Sequence, residues 1–411
     1  MGLFKSKTSS YLGLDFGTSS IKLVELENVS GRPRLVTYGS VEIDTNVSRD
    51  DAKADQAKVA SILKALIQRT GAHSRASIAA LPNFSVFSSV ISLPELSEKQ
   101  LTEAVQWEAK KFVPMPIENV VLDWKIINTI ENANPRAESP NAPEQPKSSA
   151  NAPVAPVAPA SEGKGEAVND ATQKPNQPKE SARGNLAKCE KVVRILLTAA
   201  PRHLIERYVS IFKLAGLNLI SLETESFALS RSLVGNDQDP ILIVDVGSLT
   251  TDLTVVENGV PVLARSIDIG GKTVTKAIAD SMGISLERAE QFKRDVGLGS
   301  FKVVGAQPGA VQNSGVAGMI ESSFSAVINE MKYSLDLHKS QGQSKITKIL
   351  ITGGSSFLPG LPDYLTRALG IKTYIGNPWA RVSYPKDLGD VLEQLAPHMA
   401  VSVGLAMREI G

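Results

Sequence analysis

The sequence predicts an α/β protein of two related lobes, with a small α+β unit inserted into the first. Three observations predict it. An apolar strand closed by Asp-x-Gly and a hydroxyl-rich turn occurs twice. The first copy is Leu12-Gly13-Leu14-Asp15-Phe16-Gly17-Thr18-Ser19-Ser20, and the second is Ile243-Val244-Asp245-Val246-Gly247-Ser248-Leu249-Thr250-Thr251. A third glycine turn, Thr352-Gly353-Gly354-Ser355-Ser356, follows an apolar strand and precedes a helix. Between the two copies, residues 83–222 read as strand–helix–strand repeated, around a Pro/Ala-rich break.

The composition sets bounds. With 411 residues the chain is long enough for two or more domains, and 42% hydrophobic with 21% charged residues is ordinary for a globular protein. A net charge of +1 predicts no nucleic-acid surface. The single cysteine, Cys189, excludes an intrachain disulfide and cysteine-based metal cages. His73, His203, His338 and His398 show no zinc-ligand spacing. No apolar stretch reaches the ~20 residues that span a bilayer, so direct membrane insertion is not expected.

The elements follow in order. Tyr11–Asp15 and Ile21–Glu27 read as strands joined by the first turn. Val59, Ile62, Leu63, Leu66 and Ile67 carry helical spacing, with Gly71 as the stop. Ser97 with Gln100 forms a capping box that opens a helix carrying Leu101, Val105 and Phe112. Residues 119–130 look like a strand. From Glu131 to Asn185 there is no Leu, Ile, Met or aromatic residue. Such a composition cannot offset its ordering entropy and predicts a disordered, partly polyproline loop over 132–187. A strand at Val192–Thr198 and a helix between Pro201 and Gly216 resume the fold. Ile241–Val246 reads as a buried central strand, and Asn258-Gly259 as a hairpin turn between two more. A long helix carries Ile320, Phe324, Val327, Ile328 and Met331. Strand Lys348–Thr352, helix Leu361–Leu369 and a helix near Leu395–Ile410 complete the chain.

The chemistry lies in the three turns. An Asp that ends a buried strand faces the crevice between lobes, where a carboxylate can hold hydrated Mg²⁺. Gly lets the backbone approach a phosphate closely. The N–H groups and hydroxyls that follow donate to phosphate oxygens. Two such hairpins can pinch a triphosphate from opposite sides, and the flat Gly353-Gly354 turn can take the nucleoside.

These segments are similar to the phosphate and adenosine motifs of the actin, sugar-kinase and heat-shock-chaperone ATPase superfamily. Within it, the chain resembles the PilM family of type IV pilus assembly. The segments Gly13 to Leu26, Asp245 to Asp252, Arg265 to Gly271 and Ile351 to Leu361 carry that resemblance. It implies an actin-like (ribonuclease H-like) two-lobed ATPase fold, with the α+β unit standing in place of actin's second subdomain. The implied division is a first core lobe 1–82, the inserted subdomain 83–222, a connecting helix 223–238, second-lobe core 239–271 and 346–390, a helical region 272–345 between them, and a C-terminal helix 391–411 returning to the first lobe.

The resemblance also implies site residues. Asp15 and Asp245 would organise Mg²⁺. Gly17, Thr18, Ser19 and Lys22 would hold ATP phosphates from one side; Gly247, Ser248, Thr250 and Thr251 from the other. Gly353, Gly354 and Ser355 would meet the nucleoside, with Glu330 reaching the ribose. No water-activating group is assigned, although Glu223 and Glu225 lie in the right region, so ATP binding is expected with hydrolysis weak or absent. The implied role is a cytoplasmic scaffold held at the inner membrane by partners: the N-terminal peptide of PilN, a bitopic membrane protein, with pilus motor ATPases as further candidates. The alternatives are an FtsA-like division or filament-forming protein, and an ATP-dependent sugar kinase. A chain that stops after its last core helix lacks the amphipathic anchor expected of the former. No catalytic base marks the latter.

Overall fold

The computed structural model describes residues 9–43, 53–130, 191–298, 310–340 and 343–410. The Pro/Ala-rich stretch 132–187 lies outside them. The first part of the chain runs β1 (Ser10–Phe16), β2 (Ser20–Val29), β3 (Arg32–Glu42), α1 (Lys53–Thr70) and β4 (Ala76–Leu81). Then come β5 (Phe87–Pro94), α2 (Glu98–Phe112), β6 (Val120–Ile130), β7 (Val192–Pro201), α3 (Arg202–Ala215), β8 (Asn218–Thr224) and the short α4 (Glu225–Leu229). The second half holds β9 (Ile241–Val246), β10 (Thr251–Glu257), β11 (Val260–Ile267), α5 (Gly271–Met282), α6 (Leu286–Val296) and α7 (Ala310–Ser340). It ends with β12 (Lys348–Thr352), α8 (Leu361–Leu369), β13 (Thr373–Ile375) and α9 (Gly389–Met407).

Two five-stranded sheets repeat one topology, β3-β2-β1-β4-β8 and β11-β10-β9-β12-β13. In each, the first three strands are antiparallel and the last two parallel to the central one. The short-range repeat in the sequence is therefore the visible part of a whole repeated lobe. Local chemistry sets the joints. Asn258 (φ 50°) and Gly259 (φ 75°) make the β10–β11 turn, where left-handed backbone matches the strand twist. Gly216 (φ 73°) ends α3 in the left-handed conformation. Gln100 Oε1 accepts from the Ser97 N–H at 3.3 Å and opens α2.

A third sheet, β5-β7-β6, is covered by α2 through Leu101, Val105 and Ala109. The stretch 83–222 does not stay together. Helix α3 packs with α1 through Leu204, Tyr208, Ile211 and Phe212, and β8 pairs with β4, so β8 joins the first sheet and α3 packs in its core. The period of a strand gives its inward face but not which sheet it joins.

Helices α4 and α9 lie between the two large sheets. Ala228 and Leu229 of one, and Ala400, Val401 and Leu405 of the other, share a buried cluster with Ile78 of β4 and Ile243 of β9. Their contact is backbone on backbone: a Cβ on Gly404 would stand 1.9 Å from the Ala228 oxygen. Gly13 gives α9 the same close approach to β1, since its Cβ would meet the Ser402 oxygen at 2.0 Å. Among the described residues, no helix is long and apolar enough to cross a membrane.

Candidate nucleotide crevice

The two Asp-x-Gly turns sit at the same place in their lobes, where the central strand hands over to its antiparallel neighbour. Asp15 is the register partner of Lys22 on β2, and Lys22 Nζ donates to Asp15 Oδ2 at 2.7 Å. Burial works against the Lys22 charge. The carboxylates of Asp15, Asp245 and Glu225 more than offset it, so its pKa is raised. One cation thus feels acidic groups from both lobes and from the helix between them.

The second hairpin has the same backbone and the opposite charge. Asp252 of β10 is the register partner of Asp245. Burial, then the Asp252 carboxylate, push Asp245 up to about 7, with Lys22 pulling the other way. Burial likewise pushes Asp252 up to about 6, against the nearby hydroxyl of Ser266 and the hydrogen bond from Thr250. Glu225, at the start of α4, is raised well above its usual range by burial and by Asp252, Asp15 and Asp245, while its Oε2 accepts from the Asn83 N–H at 3.1 Å. Three carboxylates from three segments therefore act on one lysine, and a fourth, Asp252, acts on two of them.

The third turn closes on the second. Thr352 is the parallel register partner of Asp245, which brings Gly353 beside the Asp245 carboxylate. A Cβ on Gly353, at φ +84°, would be 2.2 Å from Asp245 Oδ1. Ser355 N–H donates to the Val246 oxygen at 3.1 Å. The start of α5 joins them: Gly271 N–H donates to the Gly247 oxygen and Lys272 N–H to the Ser248 oxygen, both at 2.9 Å. Lys293 of α6, buried, donates to the Gly271 oxygen (3.0 Å), Thr275 Oγ1 (2.9 Å) and Glu290 Oε2 (2.6 Å).

The expected site residues fall out as follows. Gly17, Thr18 and Ser19 form the β1–β2 turn, and Gly247 and Ser248 lie in the β9–β10 turn. Thr250 and Thr251 are buried, and their hydroxyls are spent inside the protein, on Asp252 Oδ2 (3.3 Å) and the Ile269 oxygen (2.7 Å). A hydroxyl has one proton to donate, so these two brace the turn instead of offering donors to a ligand. Gly353, Gly354 and Ser355 form the turn after β12. Glu330 on α7 is ion-paired with Arg265 of β11. Of the two candidate water-activating groups, Glu223 is held by Arg231 at 2.7 Å and Arg408 at 3.5 Å, whereas Glu225 lies in the carboxylate cluster. Sequence reasoning left out Asp252 and Lys293 as site residues. Asp252 was legible as the residue opposite Asp245 in the hairpin register; nothing local marks Lys293.

Among the described residues, no three His, Cys, Asp or Glu side chains converge to chelate a metal directly. That donor set suits Mg²⁺, which keeps much of its water shell and takes one or two carboxylates together with phosphate oxygens.

Two lobes of one topology, with matched turns at the ends of their central strands, define an actin-like fold. A family model described as "Type IV pilus assembly protein PilM" matches residues 13–139 and 181–410. The chain belongs to that family. It is similar to the cell division protein FtsA of Enterococcus faecalis, 21% identical over 392 residues, which cover 90% of this chain and 80% of that protein. The match to FtsA of Neisseria meningitidis serogroup B is 22% identical and spans 46% of this chain and 48% of the relative, about half its length. Among solved structures, a chain of a "PilM-PilN type IV pilus biogenesis complex" is similar with a TM-score of 0.71 and 24% identity, over 98% of each chain.

Proposed function

We propose that this protein is an ATP-binding scaffold of the type IV pilus inner-membrane assembly complex. The observation that carries the nucleotide reading is the convergence of Asp15, Lys22, Glu225 and Asp245 at the ends of the two repeated sheets. A crevice with a surplus of carboxylates needs a cation, and its glycine turns leave room for a phosphate chain. Asp15 and Asp245 would hold hydrated Mg²⁺, which would neutralise phosphate charge when bound with ATP. The turn N–H groups of Thr18, Ser19 and Ser248 and the Lys22 ammonium grip phosphates, while Gly17 and Gly247 shape the turns, the Gly247 N–H being spent on the Thr250 oxygen at 2.9 Å. Gly353, Gly354 and Ser355 take the nucleoside.

ATP in this reading holds the lobes together, with hydrolysis weak or absent. Family membership supports the pilus role. The solved relative is a PilM–PilN complex, which supports PilN as partner; the part of PilN proposed to bind is its N-terminal cytoplasmic segment. That partner would hold the protein at the inner membrane, and pilus motor ATPases are the further candidates on the cytoplasmic side.

Calorimetry with Mg-ATP, and then with a peptide of the N-terminal segment of PilN with and without ATP, tests both parts. Binding of both ligands with weak or absent hydrolysis is the expected result. Rapid ATP consumption or sugar phosphorylation would replace the scaffold by an enzyme, and failure of the peptide to bind would remove the partner.

A further inference from the structure

Helix α9 brings one side chain into the crevice that the turn motifs do not account for. Pro397 anchors the helix there: its carbonyl accepts the Gly353 N–H at 3.2 Å and the Thr352 hydroxyl at 3.0 Å. The next residue, His398, lies on the exposed side of α9, although Pro397 and Met399 on either side of it are buried. Its imidazole rests on Gly354, so that a Cβ added to that glycine would be 2.9 Å from His398 Cε1. Gly354 carries no positive φ; what it provides here is room.

The ring has no hydrogen-bond partner among the described residues. The charged groups that act on it are Lys22 from β2 and Arg294 from α6, both cations, and among the described residues no carboxylate from the turn after β12 or from α9 itself balances them. Partial desolvation of the ring against the glycine turn, followed by those two charges, lowers its pKa. The imidazole is therefore neutral at pH 7, with an N–H to give. It touches the glycine turn of the nucleoside side and lies within electrostatic reach of the phosphate-side lysine. A neutral, unpartnered donor at the edge of a cationic spot is suited to an anion that arrives with the ligand.

We propose that His398 is a nucleotide-contacting residue, donating from its imidazole to the phosphate chain close to the ribose. This rests on the nucleotide reading and adds a contact from a fourth segment, the C-terminal helix. Because Pro397 ties the same turn of α9 to Gly353, and Gly404 ties the helix to α4, the contact would report ligand occupancy to the helix packed between the lobes.

The test uses the full chain labelled with ¹³C at its four histidines, and His398→Gln assigns the signal. Mg²⁺ is present throughout, and adenosine, ADP and a non-hydrolysable ATP analogue are added separately, with calorimetry on the same samples. The expected result is that ADP and the analogue move the His398 signal and raise its titration midpoint, while adenosine alone leaves the midpoint in place. His398→Ala should weaken ADP binding about tenfold, and His398→Gln, which keeps a donor, about threefold. The ligand-free melting temperature of both variants should match that of the parent. If calorimetry shows bound nucleotide and the His398 signal stays still, or His398→Ala binds as well as the parent, the assignment is overturned and the nucleotide crevice stands. If the parent binds no nucleotide, the crevice reading falls and this contact falls with it.

Discussion

Asp245 and Asp252 face each other across β9 and β10 at the position where, in the first lobe, Asp15 faces Lys22. The repeat thus preserves the backbone and inverts one charge. Like charges opposite each other destabilise a strand pair, and here burial adds to the cost. Asp245 at about 7 and Asp252 at about 6 bind protons in the folded state that they would release when unfolded. Their contribution to stability is therefore lost as pH rises from about 4, the unfolded value, to about 7, and the penalty is complete above that. The ligand-free protein should lose thermal stability from these groups between about pH 4 and pH 7. Asp245→Asn should flatten that slope and raise the melting temperature at pH 8. An Asp245→Asn melting curve with the parent's pH dependence would remove this electrostatic account.

Asp15 has the opposite standing, since its charge is matched by Lys22. Asp15→Ala should weaken Mg-ATP binding about tenfold or more, because it removes a carboxylate from the Mg²⁺ side and releases Lys22 from its place. Calorimetry measures it; unchanged affinity would refute the two-hairpin clasp.

The two neighbouring glycines of the third turn should behave differently. Gly353→Ala places a Cβ against Asp245 and the Val246 backbone at φ +84° and should cost roughly 2 kcal/mol of stability, with loss of nucleotide binding. Gly354→Ala meets only the edge of the His398 ring, a side chain that can swing away. Its stability should stay within about 0.5 kcal/mol of the parent. Equal melting temperatures for the two variants would mean the turn is not packed as described.

Gly404 supplies a test with an inverted sign. Replacing Gly by Ala inside a helix ordinarily stabilises by up to about 1 kcal/mol. At Gly404 the added carbon has nowhere to go, because the Ala228 carbonyl occupies its position. Gly404→Ala should lower the melting temperature by several degrees. A neutral or stabilising result would show that α4 and α9 are not in backbone contact.

Much of the crevice was legible because its parts are contiguous in sequence: strand, Asp-x-Gly and hydroxyls lie within ten residues, and the Asn258-Gly259 and Ser97…Gln100 signals act locally. What the sequence hid was long-range. Lys293 and His398 arrive from segments with no local mark, and only the packing of α6 and α9 gives them neighbours; Glu225 was picked out by its region, and only the packing of α4 separates it from Glu223. Strand β3 was obscured by Pro33 and Gly39 within it, and β13 by its three-residue length. Thr250 and Thr251 looked like phosphate donors because their hydroxyls were visible, whereas the acceptors they serve, Asp252 and Ile269, are placed by the hairpin and by the approach to α5.

Ile130 and Val192 are register partners at the open end of the β6–β7 ladder. The chain that joins them leaves and re-enters the fold from adjacent positions, and lengthening a tether between fixed ends costs only about 0.6 kcal/mol per doubling. The ladder is thus a docking port for engineering. A fluorescent protein with neighbouring termini, spliced there in place of the native join, would sit where the small sheet meets the second lobe, since Arg194 near that end pairs with Glu257 and Gln343, and its orientation could report how that sheet moves against the lobe when a partner binds.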